Sequence, residues 1–232
     1  MDLIWHGLQE AWLILRIGDA EIYDIFKLSL YIAFWTMSIS LILGLPLGLL
    51  LGLSRFRGRS MLFVLANVGM GFPPTVVGLW VALFFWRSGP LGELRWIYTP
   101  KAMIVAEVIL TFPIIVALVA AATQSRRDKL HPLLLSLGLT PMQYVWLYVR
   151  EIRLSILAAV MAGFGRVFSE VGAAIMVGGN IKGETRTMTT AIVLEVSKGD
   201  FSRALAISFI LLTLSLLITT FLTLLQQSES QK

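Results

Sequence analysis

This chain is predicted to fold as an all-α integral membrane protein, on three observations. It is 57% hydrophobic and only 14% charged, with a mean hydropathy of +0.81, far from the quarter-charged composition of soluble domains. No charged residue occurs in Leu28–Ser54, Ser60–Trp86 or Ala204–Ser228, and each run exceeds the ~20 residues an α-helix needs to cross the hydrocarbon. None of these runs alternates in polarity as the strands of a transmembrane barrel would. Two interrupted runs, Ala102–Ala122 with Glu107 and Leu154–Gly178 with Arg166 and Glu170, bring the expected count to five.

Taken in order, residues 4–15 place Ile4, Leu8, Trp12 and Leu15 on one helical face, with Trp5 alongside. That pattern suits either a helix lying in the headgroup region or one packed on the bundle. Span one, 28–54, is followed by "RFRGR" at 55–59, whose three arginines favour the cytoplasmic side. Alternation then puts the loops 87–101 and 178–203 outside and the loop 124–153 inside. Span two, 60–86, contains "GMGFPPTVVG", where Pro73 and Pro74 remove backbone donors and break the helix. Such breaks survive in a bilayer where protein or water satisfies the freed carbonyls. Span three, 102–122, carries Pro113 as a second candidate kink; spans four and five cover 154–178 and 204–226. Residues 1–232 are expected to form one transmembrane domain.

Several function classes fall away. The chain has no cysteine and only two histidines, His6 and His131, far apart outside the spans, so no metal site is legible. Asp2 and Glu10 precede any long apolar run, unlike a cleaved signal, so span one is expected to direct insertion. The net charge of +5 comes without an aromatic-interleaved basic stripe, so nucleic acid is not an expected partner. "VGGNIKGETRT", 177–187, spaces Gly178 and Gly183 like a phosphate-binding loop, but Glu184 stands where the lysine belongs and would repel phosphate.

The intramembrane charges are the candidate chemistry. Arg166 and Glu170 lie one turn apart on the same side of span four. An ionised side chain at mid-bilayer costs on the order of 3 kcal/mol, so both must face protein or water. They serve either as a neutralising packing pair or as a weak guide for a passing anion. Glu107 could accept from Thr111, sit protonated or meet Arg166. In the outer loop, Lys182 and Arg186 could raise the local concentration of an anion, with Glu184 offsetting one of them.

Two stretches carry a family resemblance. "FPPTVVGL", 72–79, resembles the P-P-x-V-x-G-L segment of oxyanion permeases, and "RVFSEVGAAIMVGGNIKGETRTMTTAI", 166–192, is similar to their R-x-x-x-E-x-G-A followed by G-N-I-x-G-x-T-R-T. In "HPLLLSLGLTPMQYVWLYVREIRLSI", 131–156, Gly138 stands where the glycine of the coupling loop of ATP-binding cassette (ABC) importers would be, although Pro132, Leu133 and Leu134 replace its E-A-A. The resemblance implies a five-span type I ABC importer transmembrane domain with an N-terminal interfacial helix. It would be the permease for tungstate or molybdate, in a bacterial or archaeal cytoplasmic membrane.

The same resemblance implies a second copy of the chain, a cytoplasmic ATPase dimer, an extracytoplasmic substrate-binding protein and surrounding lipid as partners. ATP and Mg would be bound by the ATPase and no cofactor by this chain, which would not be an enzyme itself. Arg166, Glu170, Glu107, Pro73 and Pro74 are expected along the translocation pathway. Gly179, Asn180, Lys182, Gly183, Thr185, Arg186 and Thr187 are expected at the binding-protein face, and Leu135, Leu137, Gly138, Leu139 and Thr140 at the ATPase. The alternative is a proton-coupled secondary transporter using Glu107 and Glu170, though no inverted repeat is visible.

Overall fold

The computed structural model describes residues 2–17 and 19–230, apart from the side chains of Asp2, Leu3, Leu15, Ile17, Asp128, Lys129, Leu135, Glu229 and Ser230. The described residues form α-helices joined by turns and one longer connection, 86–99, which holds a 3-10 helix at Gly92–Leu94, with no strand among them. In order these are α1 (Asp2–Ile17), α2 (Ala20–Leu53), α3 (Arg59–Met70), α4 (Pro74–Phe85), α5 (Pro100–Ser136), α6 (Pro141–Glu151), α7 (Arg153–Ser169), α8 (Gly172–Gly178), α9 (Met188–Lys198) and α10 (Phe201–Ser230). Three of them, α2, α5 and α10, are long and apolar enough to cross a membrane; counting the broken pairs α3/α4 and α6/α7 as one span each gives five.

The helices distribute over two compact units. The first comprises residues 1–36, 73–109 and 165–220. Its core joins Ala11 of α1, Ile22 and Ile25 of α2, Met188 and Ala191 of α9, and Ala206, Ile207 and Ile210 of α10. Gly7 lets α1 come against α10, since a methyl group there would lie 2.7 Å from Leu205 Cβ. The other side of α1 leaves Ile4, Trp5, Leu8 and Trp12 exposed. Thus α1 packs on its unit and also presents the apolar, Trp-bearing face suited to a headgroup layer.

The second unit comprises residues 37–72, 110–164 and 221–232. Here Gly44, Gly48 and Gly52 of α2 lie against Ile115, Val119 and Thr123 of α5; a methyl on Gly48 would sit 2.7 Å from Val119 Cβ and 3.0 Å from the Val116 carbonyl. Small residues at this i, i+4, i+8 spacing let two membrane helices approach backbone to backbone. Gly69 of α3 receives the Pro113 ring in the same way, so Pro113 acts as a packing surface inside an unbroken α5. Arg59 holds the end of α2 by donating from Nε to Leu51 O.

Two element boundaries differ from expectation. Helix α5 continues through the sequence "QSRRDKL" and past Pro132 to Ser136, because these residues are mostly good helix formers. Span four is interrupted: α7 stops at Ser169 before α8 begins at Gly172, while the 65° bend between α6 and α7 lies just before the span.

Candidate functional site

The break after α7 is built by a side chain. Glu170 is 6% exposed, and its Oε1 accepts a hydrogen bond from Ala173 N at 3.0 Å, replacing a carbonyl partner that the first turn of α8 lacks. Helix α4 lies along α8. A methyl on Gly78 would be 2.7 Å from Ala173 Cα, and one on Gly172 would be 2.7 Å from Thr75 Cγ2. The two stretches that carry the resemblance are therefore one packed object, with a glycine from each at the contact. Pro73 supplies the extended residue before α4, and Pro74 its first position, where a missing N–H costs nothing.

Arg166 comes to Glu170 at 3.8 Å, with side-chain exposures of 25% and 5%. That distance suits charge compensation and exceeds a hydrogen bond; Arg166 Nε has no hydrogen-bond partner among the described residues. Along α7 the exposed positions Ala158, Ala162, Gly165 and Ser169 form one stripe of small side chains next to Arg166. Glu107 is 3% exposed, and its Oε2 has no partner among the described residues, nor does Thr111 Oγ1. It lines a cavity of about 30 Å³ together with Ser29, Glu170, Thr187 and Thr189.

The turn at residues 178–190, expected outside (the outer turn), is held by polar groups of its own and of α2. Gly179 has φ 71° and lies against the Tyr98 ring; Asn180 has φ 54°, in a region asparagine tolerates. Buried Thr185 donates to Gly178 O and accepts from Ile181 N at 3.0 Å. Thr187 and Thr190 cap α9 reciprocally, and Met188 N donates to Ser29 Oγ at 2.9 Å. The basic residues are occupied: Lys182 Nζ and Arg186 Nη1 donate to the Glu21 carboxylate at 2.8 and 2.9 Å, with Arg203 at 3.4 Å. Glu21 precedes the charge-free stretch of α2, and the hydrogen bond from Lys182 holds its carboxyl below the usual glutamate range despite its partial burial. Gly183, at φ 77°, faces open space.

The turn between α5 and α6, expected on the cytoplasmic side, has the opposite character. Thr140 and Gln143 form a capping box at the start of α6, and Gly138 has φ 62° with nothing near it. Leu133, Leu137, Met142, Val145 and Trp146 are exposed, while Leu134 and Tyr148 are buried; Leu139 is half-buried. The side chain of Leu135 lies outside the described residues. Tyr148 Oη donates to Thr123 O at 2.9 Å, fixing α6 to α5.

Sequence reasoning missed Glu21, Arg203, Ser29 and the Gly78–Ala173 contact. Glu21 pairs across 161 positions with Lys182, beyond the reach of local pattern. Its one signal was the acidic trio Asp19, Glu21 and Asp24 just before span one.

The comparisons with known proteins agree with this geometry. The family model described as "Binding-protein-dependent transport system inner membrane component" matches residues 44–231. A relative from Peptoclostridium acidaminophilum, "Tungstate uptake system permease protein TupB", is 35% identical over 227 residues, covering 98% of this chain and 100% of the relative. Another from Haloferax volcanii, "Probable anion ABC transporter permease protein", is 40% identical over 208 residues, covering 86% of this chain and 90% of the relative. Among solved structures, an inward-facing form of the MetNI methionine ABC transporter superposes with a TM-score of 0.72 at 19% identity, over 94% of this chain and 96% of that one, which establishes a shared fold. The chain belongs to the family of inner-membrane components of binding-protein-dependent transport systems.

Proposed function

We propose that this permease carries tungstate inward as a twofold dimer driven by a separate cytoplasmic ATPase and supplied by an extracytoplasmic binding protein. The observation that carries the reading is the end-to-end similarity to a tungstate uptake permease, 35% over 98% of the chain. In this reading ATP and Mg act on the ATPase, and this chain performs no chemistry of its own. Molybdate is a tetrahedral dianion of nearly the same size, so discrimination belongs to the binding protein.

The exposed small-residue stripe of α7, with Arg166 beside it, supports a path between two copies: small side chains leave room for a dianion, and one guanidinium attracts it without trapping it. Pro73 is exposed at the head of α4 and joins the same path, with Pro74 behind it. Glu170 and Glu107 are buried and support the path from within. Residues 131–145 meet the ATPase, because the apolar side chains at 133, 137, 142 and 145 are exposed and match an apolar groove. The outer turn 179–187 meets the binding protein. Uptake of tungstate, molybdate and sulfate into vesicles, with ATPase and binding protein added separately, tests the reading. Uptake of tungstate only when both are present is expected; equal uptake of all three without a binding protein would refute it.

A further inference from the structure

The small cavity around Glu107 poses a hydrogen-bonding problem that the transport reading does not address. Glu107 is 3% exposed, and its Oε2 has no partner among the described residues. A carboxylate needs donors; Arg166 Nε and Thr111 Oγ1, unpartnered themselves, do not line the cavity, and the hydroxyls that do are already committed. The Ser29 hydroxyl donates to Ile25 O at 2.8 Å, and the Thr189 hydroxyl donates to Glu170 O at 3.0 Å. The Thr187 hydroxyl lies 3.1 and 3.2 Å from those of Thr189 and Thr190, and Ala173 N serves Glu170. The cavity does contain an acceptor, the Glu170 carboxylate.

Charge points the same way. Of the cavity-lining residues, α2 contributes Ser29 and Ile32, α9 and its cap Thr187, Met188 and Thr189, and α10 Leu211; the titratable ones are Glu107 and Glu170 alone. The cation paired with this cluster among the described residues is Arg166, 3.8 Å from Glu170. Two carboxylates against one guanidinium leave an uncompensated charge in a membrane span, whereas one proton brings the group to neutrality.

We infer that this cavity is a proton-binding site, in which Glu107 keeps its proton and donates it toward the Glu170 carboxylate across a space that holds one water. The volume, about 30 Å³, fits a single water molecule with polar partners. The proton is resident and is not cargo. Its work is positional: it ties α5 to the carboxylate that caps α8 without adding a second negative charge beside it.

The full-length permease in lipid nanodiscs tests this directly. An infrared difference spectrum of wild type against Glu107→Gln at neutral pH is expected to show a deuterium-sensitive carboxylic-acid C=O band that the variant lacks. Glu107→Gln, a neutral hydrogen-bonding isostere, is expected to melt within ~4 °C of wild type. Glu107→Leu, which removes the donor, is expected to melt lower than Glu107→Gln. Absence of the acid band would overturn the inference, as would failure of Glu107→Gln to fold or a Glu107→Leu variant as stable as Glu107→Gln.

Discussion

The two turns that interrupt the helices solve their exposure in opposite ways. The outer turn buries Thr185, Thr187 and Thr190, spends its cations on Glu21 and closes on itself. The turn between α5 and α6 buries Leu134 and Tyr148 yet leaves Leu133, Leu137, Met142, Val145 and Trp146 outside. Polar groups can be satisfied within one chain by hydrogen bonds; an exposed apolar group needs another surface. The outer turn satisfies most of its polar groups within this chain, leaving Asn180 Oδ1 and Arg186 Nε without partners among the described residues, whereas the inner one leaves a cluster of apolar side chains exposed.

The largest effect expected from this contrast is at the inner turn. Leu137→Asp combined with Met142→Asp should reduce ATP-driven uptake by ~30-fold, the loss of about 2 kcal/mol of interface energy. The melting temperature of the isolated permease should stay unchanged; a large fall in melting temperature would show that these side chains serve the fold. Thr185→Val should do the reverse, costing about 2 kcal/mol by stranding Gly178 O and Ile181 N. That is a drop of ~4–8 °C in thermal unfolding.

Glu21→Gln should cost ~1–2 kcal/mol, because it loosens three cation contacts, including that of Arg186, whose side chain is 13% exposed. The acid limb reports it separately. Since Lys182 holds the Glu21 carboxyl below its usual range, the cluster's stabilisation is present above the ordinary glutamate value and is lost as pH falls through the lowered one. A melting temperature followed from neutral pH downward should show this loss in wild type and a flatter profile in Glu21→Gln. The smallest effect is expected from Gly138→Ala and Gly183→Ala, each ~1 kcal/mol for a side chain at positive φ in open space. Equal costs at both would show that the two turns share backbone demands and differ only in their side chains.

Much of this was readable in the sequence because its causes are local. Charge-free length places the spans; Pro73 and Pro74 interrupt the second one at the very residues where α3 gives way to α4; the glycines of 178–183 mark a turn. The break in span four was not readable. "RVFSEV" carries no glycine or proline to stop a helix, and the helix stops there with Glu170 folding back on Ala173 N, a choice a linear pattern does not encode. The pairing of Lys182 and Arg186 with Glu21 was hidden by chain distance, so those two residues read as free charges until the fold brought α2 beside the loop. The Gly44, Gly48, Gly52 repeat was not singled out in the sequence, and only the facing Ile115, Val119 and Thr123 give it meaning.

That repeat has a mechanical consequence. Two helices separated by side chains can slide, because side chains change rotamer as they pass. At Gly48 the α2 backbone rests directly on Val119 and on the Val116 carbonyl, and a shift of either helix along the other would drive a ridge into bare main chain. The paired stretches of α2 and α5 are therefore locked against sliding as a single beam, and α5 continues from that contact to Ser136 as one helix with Pro132 inside it. A displacement of α5 at that contact is shared by α2, through three glycines whose hydrogen atoms stand where side chains would otherwise be.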